Sequence, residues 1–99
     1  MHSDSSPQPQ LSSAERKHLR GLAMRLKPLI FIGKSGLTDA VIAATHKAFE
    51  KTELLKLKIL VDDRVQREAL ASELANAANA QVVGQVGKTA ALYRKKAEP

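Results

Sequence analysis

Gly33-Lys34-Ser35-Gly36 is the stretch of this chain best suited to chemistry with an anion. Two glycines around two polar residues leave backbone N–H groups unshielded, Lys34 adds a mobile cation and Ser35 a hydroxyl. A short apolar run, Leu29–Ile32, precedes the four residues, and a helix-forming stretch follows them. Strand, glycine turn and helix start in that order direct amides and a positive dipole end at one place, where phosphate oxygens bind well.

Other chemistries fail on spacing or composition. Gly33-Lys34-Ser35 and Gly87-Lys88-Thr89 imitate the end of a nucleotide-triphosphate loop, but the positions that need its first glycine hold Pro28 and Val82. Asp62 and Asp63 stand before a helix, where capping and surface charge account for them. His2, His18 and His46 have no metal-ligand spacing, and the chain has no cysteine, so thiolate metal sites, disulfides and cysteine nucleophiles are excluded. No catalytic constellation emerges, and no cofactor is expected.

Positive charge is the second signal. Sixteen Lys and Arg against ten Asp and Glu give a net +6 in 99 residues, a balance that attracts phosphate polyanions and also favours solubility. Arg16, Lys17 and Arg20 cluster on one sector of a helix, with Arg25 and Lys27 extending the charge toward its exit. Lys56 and Lys58, Lys88, and the group Arg94, Lys95 and Lys96 are the remaining basic candidates. With no Trp, one Tyr and two Phe, a platform stacking several bases in succession is not expected. Tyr93 reads first as a packing residue.

These side chains need a scaffold. Ser12 and Glu15 form a capping box for a first helix with Leu19, Leu22, Ala23 and Leu26 on its apolar face, and Pro28 ends it. Leu29–Ile32 reads as a strand buried on both faces, because its apolar residues do not alternate. Thr38 caps a second helix with Leu37, Val41, Ile42, Ala44, Thr45, Ala48 and Phe49 inward. Lys56-Leu57-Lys58-Ile59 alternates cleanly, which places Leu57, Ile59 and Val61 inside and both lysines on the opposite face.

Asp63 and Gln66 open a third helix through about Ala78, with Ala69, Leu70, Leu74, Ala77 and Ala78 inward. Val82–Val86 and Thr89–Arg94 form a hairpin across Gly87-Lys88, and Gly84 marks a bulge or a close approach of another group. The order α-β-α-β-α-β-β predicts a single α/β domain with a mixed four-stranded sheet. Residues 1–10, rich in Ser, Pro and Gln, read as a flexible tail, 11–95 as the domain and 96–99 as a frayed end. No window approaches the roughly 18 apolar residues of a membrane span, and no signal-peptide core is visible, so a cytoplasmic address without membrane contact is expected.

The segment Leu19-Arg20-Gly21-Leu22-Ala23, followed by Leu26-Lys27-Pro28 and Ile32-Gly33-Lys34-Ser35-Gly36-Leu37-Thr38, resembles the CRM RNA-binding family. The whole chain is similar to its small bacterial YhbY-like ribosome-assembly branch, through Glu53–Ile59 and Val86–Thr89 to Leu92-Tyr93-Arg94. The resemblance covers essentially Leu11 to Lys95. Relatives often carry histidine where Met24 stands, which puts in doubt only a role that needs the imidazole.

The resemblance implies a fold related to the C-terminal domain of translation initiation factor three. It further implies a stand-alone, non-catalytic domain that binds ribosomal RNA of precursor large ribosomal subunits and assists their maturation, and a monomer is expected when it is free. Its glycine loop maps onto Gly33, Lys34, Ser35 and Gly36. Arg16, Lys17, Arg20, Lys27 and Lys34 are then the leading electrostatic candidates, and Lys56, Lys58, Lys88, Arg94 and Lys95 the second rank. Two alternatives stay open: a translation-associated factor on mature ribosomes, and a protein-binding adaptor in an assembly complex.

Overall fold

The structure, a computed structural model, describes residues 10–96. Residues 1–9 of the expected tail and 97–99 of the expected frayed end lie outside it. The elements are α1 (Ser13–Ala23), β1 (Ile30–Ile32), α2 (Asp39–Phe49), β2 (Leu54–Ile59), α3 (Arg64–Ala77), β3 (Gln81–Val86) and β4 (Thr89–Tyr93), in the predicted order.

Each helix starts where a short polar side chain can satisfy a free N–H. Ser12 Oγ accepts from the Glu15 N–H at 3.1 Å and Glu15 Oε1 accepts from the Ser12 N–H at 2.7 Å, completing the capping box. Thr38 Oγ1 accepts from Val41 and Asp63 Oδ2 from Gln66. At its other end α3 stops on Asn79, held at φ 56°, while the Ala80 N–H reaches back to the Ala75 carbonyl at 2.7 Å. This is a Schellman stop with Asn in the place glycine usually takes.

The sheet order is β1-β2-β4-β3, with β1 parallel to β2 and the other pairs antiparallel. One face carries α2 and α3 over Ile32, Phe49, Leu55, Leu57, Ile59, Leu74 and Leu92, all with almost no exposure. The other face carries α1 alone, over a small cluster of Ala23, Val83 and Ala91 with Leu11, Leu19, Leu54 and Tyr93 against it.

Several sequence readings are corrected. α1 ends at Ala23, short of Pro28, through bonds from Arg25 to Leu22 and Leu26 to Ala23 that tighten its last turn. Leu22 and Leu26 are therefore partly exposed, not on a buried stripe. β1 is an edge strand buried on one face only: Ile30 and Ile32 are inside, while Leu29 and Phe31 are exposed. Ala44 is exposed in α2, and Ala69 and Ala77 are exposed in α3, where Ala71 and Ala75 take the inward positions beside Leu74 and Ala78. Val61 is partly buried but lies beyond the end of β2.

Candidate nucleic-acid interface

The strand directions bring three loops to one end of the sheet. β1 and β2 run parallel, so the turn 33–38 and the loop 60–63 leave from the same end, and β4 returns antiparallel from the 87–88 hairpin beside them. The Leu60 N–H donates to the Ile32 carbonyl and the Ile59 N–H to the Lys88 carbonyl, each at 2.7 Å, tying the three together. The glycine turn is closed by the Gly36 N–H on the Gly33 carbonyl at 3.0 Å. Gly36 sits at φ 73°, which a side chain would strain.

No group among the described residues accepts from the N–H of Lys34 or Ser35, and Lys34 makes no ion pair there. A Cβ added at Gly33 would meet open space. The Lys34 and Ser35 amides and the exposed Lys34 side chain thus lie in the turn that leads into α2, whose first turn carries Asp39.

Arg67, on α3, holds this end in shape. Its guanidinium donates to the carbonyls of Gly87 at 3.0 Å, Val61 at 2.9 Å, and Asp62. Lys88 Nζ donates to Asp62 Oδ1 at 3.0 Å. That bond and the Lys88 charge hold the Asp62 carboxyl below the ordinary aspartate range, with Arg67 adding to the effect. This end of the sheet gathers Lys34, Lys58, Arg67 and Lys88 beside the carboxylates of Asp39, Asp62 and Asp63, of which Asp62 is paired with Lys88.

The remaining candidates fall elsewhere. Arg16 Nη1 donates to the Val82 carbonyl at 2.9 Å and Arg20 Nη1 to the Val83 carbonyl at 3.4 Å, so both guanidinium groups strap α1 to β3. The Arg20 stem lies on Gly84, where a Cβ would come within 2.7 Å of its Cγ, and the β3–β4 register shifts between Val82 and Gly84. Lys17 and Lys27 are exposed. Arg94 is at the opposite end of the sheet, 4.8 Å over the Phe49 ring, with Nη1 donating to the Ala78 carbonyl at 2.9 Å. Lys95 follows it there. Lys56 and Lys58 lie on the α1 side of the sheet, partly exposed.

Residues 11–94 match the CRS1 / YhbY (CRM) domain. This chain belongs to that family. A Pseudomonas aeruginosa protein named a probable RNA-binding protein is 33% identical over 89 residues, spanning 90% of this chain and 86% of its own length. Bacillus subtilis YqeI, also named a probable RNA-binding protein, is 30% identical over 88 residues, 89% of this chain and 92% of its own. The solution structure of a hypothetical Staphylococcus aureus protein, described as a candidate RNA binder, superposes with a TM-score of 0.81 at 28% identity. The match covers 90% of this chain and 93% of that one.

In this CRM domain the glycine turn, Lys88 and the end of β2 with Lys58 form one neighbourhood, whereas Arg16, Arg20, Arg94 and Lys95 stand apart from it. Sequence reasoning missed Arg67 and the exposure of Phe31. No local signal marks Arg67, since its partners are backbone carbonyls of two other loops. For Phe31 the only hint is Pro28 at the strand's start, a residue that favours edge strands.

Proposed function

We propose that this protein is a non-catalytic RNA-binding factor that docks on ribosomal RNA of precursor large ribosomal subunits and assists their maturation. The observation that carries the reading is the glycine turn, with the free amides of Lys34 and Ser35 beside an unpaired Lys34 side chain and the start of α2. Such a cradle suits a phosphate of a structured RNA, and Lys58 and Lys88 extend the positive field along its flank. The RNA-binding names of its relatives support the same partner.

Binding alone is enough for the role. A domain that holds one arrangement of the RNA more tightly than its competitors raises the population of that assembly intermediate, with no bond made or broken. Arg16 and Arg20 act mainly on the fold in this reading, and the phosphate contacts centre on Lys34, Lys58 and Lys88.

Two measurements test it. Lys34→Ala with Lys88→Ala should weaken RNA binding and flatten the slope of log affinity against log salt by about 0.7–0.9 for each phosphate no longer neutralised. Co-sedimentation should place the protein with precursor large subunits. Enrichment on small subunits or mature ribosomes would instead favour a translation-associated factor, and an unchanged salt slope would remove the glycine turn from the interface.

A further inference from the structure

We infer that the half of the sheet face left open beside α1 is a subsite for one unpaired nucleobase, stacked on Phe31. This rests on the RNA-binding reading, and the base belongs to the RNA whose phosphate the glycine turn holds.

Phe31 is 55% exposed in the middle of β1, between two buried isoleucines. A lone exposed apolar residue needs no explanation, but Phe31 has company. Leu29 beside it is 59% exposed, and across the same face Met24 and Val86 are exposed at 79% and 76%. Between Met24 and Val86 runs a groove of about 390 Å³, lined also by Ala23, Lys56, Gly84 and Thr89. α1, which ends at Ala23, is too short to cover this half of the sheet.

Charge selects the occupant. Phe31 is the register partner of Lys58, and Lys56 and Lys58 point to the same side of β2 as Phe31 does of β1. Around Phe31 the strand residues on this side include Lys56, Lys58, Thr89 and Ala91 and no acid. An apolar protein partner would bury those lysine charges without compensation. An RNA strand presents a flat base to the ring and phosphates to the lysines together. Phe31 is two residues from Gly33, about 7 Å along the strand, so one short stretch of RNA reaches both. Along a paired duplex each base face is covered by its stacked neighbours, and only an open end could reach the ring.

The chain contains no Trp, so Phe31→Trp installs a single indole at the site, which can be excited at wavelengths that Tyr93 does not absorb. Its emission should be quenched when mixed-sequence single-stranded RNA saturates the protein, and nearly unchanged by a long RNA duplex, which offers base faces only at its two ends. Phe31→Ala, with an unaltered circular dichroism spectrum, should bind the single strand roughly tenfold more weakly and the duplex as before. Saturable single-strand binding without quenching, or with full affinity in Phe31→Ala, overturns the subsite and leaves the glycine-turn reading standing. Absence of all salt-sensitive RNA binding by the unaltered protein overturns both. Emission that shifts with protein concentration before RNA is added would assign the face to a second copy of the chain and overturn the subsite.

Discussion

The two faces of the sheet are built to different standards. Under α2 and α3, side chains from the strands join one continuous core, with Ile32, Leu55, Leu57, Ile59 and Leu92 closed off from water. Under α1, only Ala23, Val83 and Ala91 are buried, with partly buried Leu11, Leu19, Leu54 and Tyr93 and a pair of arginine straps around them, and β1 is left uncovered. The first face supplies most of the apolar burial that holds the fold. The second is therefore free to carry exposed Phe31, Lys56 and Lys58 at little cost in stability.

The largest expected contrast lies between the faces themselves. Leu57→Ala removes a fully buried side chain and should destabilise the domain by about 2–5 kcal/mol. Phe31→Ala, on the strand that α1 leaves open, should change stability by about 1 kcal/mol or less. Urea unfolding of the two variants reads this directly. Equal losses would mean that the α1 face also carries the core.

Gly84 tests how α1 is attached. A methyl there meets the Cγ of Arg20 at 2.7 Å and its Cδ at 2.8 Å, the middle of the stem rather than its free end, and moving that stem would break the 3.4 Å bond to the Val83 carbonyl. Gly84→Ala should therefore cost about 1–3 kcal/mol. In an Arg20→Ala background most of that cost should vanish, and a double-mutant cycle in urea would report a strong coupling. Additive losses would show that the bulge itself, not the arginine, requires glycine.

Within the glycine turn the two glycines should separate fold from binding. Gly36→Ala forces a side chain to φ 73° and should cost about 1–2 kcal/mol of stability. Gly33→Ala meets open space and should leave stability within about 0.5 kcal/mol, yet place a methyl on the path of an approaching phosphate. Unfolding midpoints beside RNA titrations distinguish them. Full RNA affinity in Gly33→Ala would move the phosphate away from that backbone.

What is legible in the sequence is local. The caps at Ser12, Thr38 and Asp63 each involve a partner three residues away, and the alternation of Lys56–Ile59 is a property of one strand. The double meaning of Gly84, bulge and close approach, is also visible as a pair of options, and the structure contains both. Long-range polar bonds are not legible. Arg16 and Arg20 look like free cations until β3, more than sixty residues later, supplies carbonyls to them. The run Leu29–Ile32 has no alternation to betray an exposed face, and an alanine-rich α3 fixes its inward phase only weakly, so the pattern puts Ala69 and Ala77 where Ala71 and Ala75 belong.

The smallest expected effect concerns the carboxylate paired with Lys88. Asp62 is almost wholly exposed, and its folded-state pKa is depressed first by the Lys88 hydrogen bond and next by the Lys88 charge. A depressed acid contributes stability above its unfolded pKa and loses it as pH falls through the folded value, here below the ordinary 3.8, so the pair is fully formed at neutral pH. Its exposure keeps the stability contribution slight. On the proposed RNA-binding reading its effect on binding has the opposite sign, because Asp62 occupies Lys88 and would repel phosphate. Asp62→Asn should therefore raise RNA affinity about two- to fivefold at low salt, with the gain fading as salt screens the charges. An affinity that stays flat at low salt would show that Lys88 points away from the RNA, and the interface would then contract to the glycine turn and the open half of the sheet.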